Sequence, residues 1–204
     1  MKKTGVAQQF SMGYLQRLLS IHLLVLSLCY LWAAAQTPTP NLHLTDLRNR
    51  PFSIINAEPH TATVLVFISH ECPVTQQYTP LLRQLHGQYQ SKGIAFYGVF
   101  PQGKYKAREL AAFAGLYGIP FRLLVDRRGE CAEWLNARVV PEVFLLDSGS
   151  RVLYSGAIDN RFYAIGKRRP EVTETYLKDA LDAVLNKTAI KTNKTAAIGC
   201  FIEK

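Results

Sequence analysis

No aspartate or glutamate occurs before Asp46, so the first 45 residues carry cations alone. Nor does the chain contain an internal repeat, which excludes solenoid and propeller architectures. Basic residues are scattered except at Lys167-Arg168-Arg169, and they do not interleave with aromatics, so nothing points to a nucleic-acid partner. Cysteine is scarce: Cys29, Cys72, Cys131 and Cys200 are the four in 204 residues. No cysteine stands three residues after Cys72, where Thr75 occurs, so a local Cys-x-x-Cys disulfide is impossible. No second pair of metal-ligand residues lies at useful spacing from Cys72 and His70, and neither a metal nor a cofactor is expected.

What the N-terminal stretch does contain is Lys2, Lys3 and Arg17, a leucine-rich apolar run over residues 18–32, and Ala33-Ala34-Ala35 before Gln36. That order is the order of a secretory signal peptide, 1–35, followed by a linker at 36–41. An uncleaved anchor competes with it, because the uncharged run nearly reaches spanning length and offers a route to membrane association. Removing the segment takes away three basic and no acidic residues, lowering the formal charge from +9 to +6. Either way the rest of the chain is expected in the periplasm or cell envelope. Three cysteines then remain, and an odd number in an oxidising compartment argues against a purely structural disulfide framework.

The body of the chain is organised around residues 64–82. An unbroken apolar run at 64–68 reads as a fully buried strand. Ser69-His70-Glu71 makes a polar corner, and Cys72 follows directly before Pro73. Tyr78, Leu81, Leu82 and Leu85 then recur at helical spacing. Pro73 suits the first helical position, where its missing N–H costs nothing. The unpaired N–H groups and macrodipole there favour a thiolate, so Cys72 reads as a nucleophile of lowered pKa, provided it is presented and reachable. Pro80 is expected to kink or interrupt the helix. His70 is placed to promote the thiolate or shuttle a proton.

Downstream, the apolar runs 94–100, 121–125 and 139–146 read as strands, the last with Pro141 at its mouth. Residues 104–117 read as a helix ended by Gly118, and 130–137 as one or two helical turns. Residues 151–155 return along the fourth strand after a turn at 147–150. A polar, basic loop covers 159–170, and a helix capped by Thr173 runs to Leu185. A Lys/Thr-rich tail, 188–204, carries Cys200. Strands alternating with helices, then a hairpin and a closing helix, point to an α/β sandwich with a mixed central sheet.

With that order in view, F-I-S-H-E-C-P-V-T-Q-Q-Y around Cys72, V-V-P-E-V-F-L-L-D at 139–147 and G-A-I-D-N-R-F from Gly156 resemble the thioredoxin-like superfamily. They are closest to its redoxin branch, related to alkyl hydroperoxide reductase and thiol-specific antioxidant proteins. The likeness covers about 42–185 and implies a thioredoxin-like three-layer sandwich over 42–187. It implies Cys72 as attacking thiolate, Pro141 as a facing cis-proline, and Val140 as donor of backbone groups to an incoming sulfur. Peroxiredoxins carry Pro-x-x-x-Thr-x-x-Cys; here Ser69 replaces the threonine, where its hydroxyl could bond the thiolate or substrate, and Leu65 replaces the proline.

The second sulfur must come from elsewhere. Cys200 follows about fifteen flexible residues, which extend to roughly 50 Å. It is the expected resolving thiol, with Cys131 or another protein's thiol as alternatives. Cys131, beside Trp134 and Leu135, also reads as a small core residue. The expected activity is thiol-disulfide exchange on protein or small-molecule thiols and disulfides. The alternatives are a thiol peroxidase acting on peroxides and a copper-binding or redox-inert partner module.

Overall fold

The computed structural model describes residues 42–54, 60–101, 103 and 105–203, together with Arg17 and His22. The chain divides into two units, Met1–Thr39 and Pro40–Lys204. The signal-peptide and linker readings lie outside the described residues. No described helix is long and apolar enough to cross a membrane.

The second unit is built on a seven-stranded mixed sheet. One of its inner strands, β3 (Ala62–Phe67), is the continuous apolar run, and Val64, Leu65, Val66 and Phe67 are all 0% exposed. Side chains alternate across a strand, so a run buried at successive positions means both sheet faces are covered. β3 runs parallel to β4 (Ile94–Phe100), which runs parallel to β5 (Arg122–Val125). On the other side β3 pairs antiparallel with β7 (Glu142–Asp147), and β7 with β8 (Val152–Gly156). The amino-terminal hairpin, β1 (Leu44–Asp46) and β2 (Pro51–Phe52), joins the far edge through β5.

α1 (Pro73–Tyr89) buries Tyr78, Leu82 and Leu85 of the stripe read from the sequence, leaves Leu81 half-buried, and adds Val74 and Tyr89 one turn further at each end. Pro80 does not interrupt it. Proline removes the N–H that would have bonded Gln76 O, and the Thr79 hydroxyl donates to that carbonyl at 2.8 Å instead. A short 3₁₀ turn and Gly93, at φ 82°, end this segment before β4. α2 (Ala107–Tyr117) buries Leu110 and Phe113 and closes on left-handed Gly118. α3 (Glu130–Leu135) buries Cys131, Ala132 and Leu135. α4 (Tyr176–Leu185) packs Leu177, Ala180 and Leu181 on β7 and β8, and Tyr89 of α1 donates its hydroxyl to Asp182.

Four expectations are corrected. The run 139–146 is two strands, because Pro141 breaks the ladder: β6 (Val139–Val140) leaves the central sheet and β7 belongs to it. The basic loop holds a small hairpin, β9 (Phe162–Ala164) with β10 (Lys167–Arg168). α4 starts later than Thr173, because the N–H groups of Thr173 and Glu174 are taken by Asn160 Oδ1 and Thr175 becomes the capping residue. The tail is not a loose tether. Ser155 N donates to Asn193 O and Thr195 N to Ser155 O, each at 3.0 Å. The last strand, β11 (Cys200–Phe201), then pairs antiparallel with β6.

Candidate active site

At the end of β3, Ile68 N still donates to Val99 O, and the chain then leaves the sheet through Ser69, His70 and Glu71. Cys72 takes the capping position of α1 with extended backbone (φ −83°, ψ 114°), and Pro73 opens the helix. Gln76 N donates to Cys72 O at 3.1 Å, the first bond of the helical ladder. The sulfur therefore sits beside N–H groups that the helix leaves unpaired.

β6 faces it. The Val140–Pro141 peptide bond is cis, and the Cys72 thiol donates to Val140 O at 3.0 Å. Cys200 lies directly opposite Val140 in the β6–β11 ladder, so the tail brings a second sulfur beside Cys72. Cys72, Val140 and Cys200 border a cavity of about 420 Å³ together with Ser69, His70 and Tyr105. Cys72 is only 2% exposed. Its placement beside β6 makes it presented, but the approach runs through this cavity.

Burial opposes ionisation of Cys72. The Cys200 thiol, the N–H groups of Thr75 and Cys200, and the Thr75 hydroxyl all donate toward its sulfur and outweigh that penalty. The thiol's contact with Val140 O favours the protonated form, but it is one acceptor against four donors. The Cys72 pKa thus lies below the ordinary thiol value. Cys200 goes the other way, pushed up to about 11 by burial, by its hydrogen bond to Cys72 and by the charge of that neighbour. The pair is asymmetric: the pKa of one sulfur is drawn down while that of its neighbour is pushed up.

The remaining sequence candidates are placed differently. Ser69 Oγ accepts from Glu71 N at 3.3 Å, and Ser69 O accepts from Cys72 N, so Ser69 shapes the corner while others hold the sulfur. His70 lines the cavity with Nε2 3.9 Å from Glu71 Oε1 and its ring edge-on to Tyr105, and its buried Nδ1 has no hydrogen-bond partner. Neither is among the groups that donate to the thiol. Cys131 is 0% exposed in α3, and burial, with the charge of Asp126, raises its pKa well above the usual value. It belongs to the core. Asp159 is buried, accepts from the Tyr78 hydroxyl and pairs with Arg161 at 3.5 Å, tying the loop after β8 to α1. Among the described residues no three His, Cys, Asp or Glu side chains gather to hold a metal ion.

The residue that sequence reasoning missed is Thr75. It occupies the position noted for its lack of a cysteine, and helical geometry turns its N–H and hydroxyl toward the residue three before it. Thr75→Val should raise the Cys72 pKa, since it removes the hydroxyl and keeps the N–H. Alkylation of Cys72 by iodoacetamide, followed against pH, should show its midpoint move upward. An unmoved midpoint would mean that the hydroxyl does not support the thiolate.

Residues 35–155 match the AhpC/TSA family. The chain belongs to that family. Its fold is thioredoxin-like, with a central mixed sheet, and the resemblance to the redoxin branch agrees with the AhpC/TSA match. An uncharacterized conserved protein from Geobacillus kaustophilus is 24% identical, with TM-score 0.71 over 83% of this chain and 91% of its own. A hypothetical protein from Sinorhizobium meliloti is 26% identical, with TM-score 0.69 over 81% of this chain and 94% of its own. A thioredoxin-like protein from Aeropyrum pernix shares the fold at 19% identity and TM-score 0.54, over 83% of this chain and 99% of its own. No curated protein matches.

Proposed function

We propose that the protein is an exported thiol-disulfide oxidoreductase in which Cys72 attacks and Cys200 resolves. The observation that carries this reading is the β6–β11 ladder, which sets Cys200 opposite Val140 while Val140 O touches the Cys72 sulfur. In the first step the Cys72 thiolate attacks one sulfur of a disulfide. The substrate's S–S bond breaks, one half leaves as a thiolate, and the other half stays in a mixed disulfide with Cys72. In the second step the Cys200 thiolate attacks Cys72 Sγ, displacing the remaining half and leaving a Cys72–Cys200 disulfide. The substrate has gained two electrons, and an external dithiol must return them to the protein.

Electrostatics orders these steps. Burial, the hydrogen bond to Cys72 and the charge of Cys72 together keep Cys200 protonated in the resting protein. Once Cys72 is in the mixed disulfide it carries no charge, so two of those three causes vanish and Cys200 becomes easier to ionise. The resolving thiol is thereby activated by completion of the first step. Export rests on the pattern of residues 1–35, which lie outside the described part.

Family membership also favours a thiol peroxidase. There a hydroperoxide would oxidise Cys72 to the sulfenate with release of an alcohol or water, and Cys200 would condense with it, releasing water. Both readings require the same protein disulfide, so disulfide mapping tests the shared part. Peptide mass spectrometry after oxidation by one equivalent of hydroxyethyl disulfide should find Cys72 joined to Cys200 and Cys131 reduced. A bond to Cys131, or none, would end the pairing. Stopped-flow oxidation by hydrogen peroxide no faster than that of free cysteine would remove the peroxidase.

A further inference from the structure

We infer that residues 193–202 occupy, as a tethered strand, the edge an extended polypeptide would need, so the reduced protein accepts small disulfides through the cavity and excludes polypeptide disulfides until the tail is released. This rests on the reading of Cys72 and Cys200 as the reacting pair, and adds a choice of substrate class and a device that sets it.

A chain that delivers a sulfur to Cys72 by strand addition has to use the backbone of β6, because Val140 O is the carbonyl against the Cys72 sulfur. Those groups are taken. Cys200 and Phe201 pair with Val140 and Val139, and Ile202 N donates to Arg138 O at 2.9 Å. Two chains cannot share one two-residue edge.

Two glycines let the tail settle this closely. Gly156 has φ +130°, and a Cβ there would fall 2.2 Å from Thr195 O. The Thr195 hydroxyl, lodged against that notch, accepts from Ala157 N at 2.9 Å and bonds the Tyr154 hydroxyl at 2.6 Å. At the other end, a Cβ on Gly199 would fall 2.2 Å from Val140 O and 2.6 Å from its carbonyl carbon. That is inside any real contact distance, so only glycine lets the tail reach β6 here. Thr195 is the latch, and Gly199 is the point of closest approach.

With the tail in place, the described residues leave Cys72 bordering the cavity of about 420 Å³. That lies in the range of roughly 300–1,000 Å³ that small molecules fill. Tethering gives the tail an effective concentration on the order of millimolar, so a polypeptide at micromolar concentration competes poorly for the edge.

The test uses two probes with one leaving group: thionitrobenzoate as a mixed disulfide with mercaptoethanol, and with the single cysteine of an unstructured ten-residue peptide. In each, the Cys72 thiolate attacks the aliphatic sulfur, the S–S bond breaks and coloured thionitrobenzoate leaves. The quantity read is the ratio of the peptide rate to the small-probe rate in the reduced full chain, in which any change of Cys72 ionisation cancels. The parent ratio should be about tenfold or more below one, and Gly199→Ala or Thr195→Val should raise it about tenfold, on the scale set by tethering. Thr195→Ser should restore the parent ratio. Tyr154 keeps a partner in Thr195→Val, since its hydroxyl also donates to Ala157 O. A parent ratio near one, or a low ratio that neither variant moves, overturns the inference. Absence of thionitrobenzoate release from the small probe would instead strike the underlying role of Cys72.

Discussion

Replacing Cys72 with serine should reduce disulfide exchange by ~10³-fold or more, the scale seen when a covalent nucleophile is removed. No other thiol in the described residues can stand in. Cys131 is sealed in the core with its pKa raised well above normal, and Cys200, although freed of the Cys72 charge in this variant, keeps the burial that raises its pKa and sits in β11 without a helix start of its own. A serine hydroxyl does not ionise there, yet it is close in shape and can still donate to Val140 O, so the fold should survive. The check is the rate of thiol release from hydroxyethyl disulfide alongside the far-ultraviolet circular dichroism of the variant. A folded variant keeping a tenth of the parent rate would show that the chemistry belongs to another group.

Cys200→Ser should separate the two steps. The first attack still proceeds, since the Thr75 groups and the Cys200-position N–H remain to stabilise the Cys72 anion. The second step loses its nucleophile. At micromolar external thiol, turnover should fall about a hundredfold, because a tethered thiol acts at an effective millimolar concentration and a free one does not. Intact-mass measurement should find the protein carrying one half of the substrate, stable for minutes. Clearance of that adduct at the parent rate would mean that resolution comes from a thiol outside this tail.

The sheet was readable because its strands are short, continuous and apolar, and each is bounded by Gly, Pro or a polar corner, as at Gly93 and Asp126. The Cys72 corner was readable for a local reason: Pro73 fixes the helix start one residue after the sulfur. What escaped was non-local. The pairing of Cys200 with Val140 spans sixty residues and involves two-residue strands, too short for any period to show. The latch at Thr195 depends on Gly156 adopting a positive φ, and nothing along the chain marks that glycine as different from the others. Thr75 is hidden in the sequence because its position stands out for the cysteine it lacks and not for the hydroxyl it has. Ser69 and His70 line the cavity at Cys72, as their nearness along the chain suggests, but the hydroxyl of Ser69 accepts from Glu71 N.

Cys131 carries a consequence for biogenesis. Its isolation from the other two sulfurs exists only once β5 and α3 have closed around it. In a chain still unfolded, the thiols of Cys72, Cys131 and Cys200 are equivalent, and an oxidant can join any two of them. Crosslinking Cys131 to either partner would then trap a species unable to complete its own interior. Under oxidising conditions the order of events is therefore fixed: folding first, oxidation second. A spectator thiol kept inside the core makes prompt folding a condition of a correct redox centre.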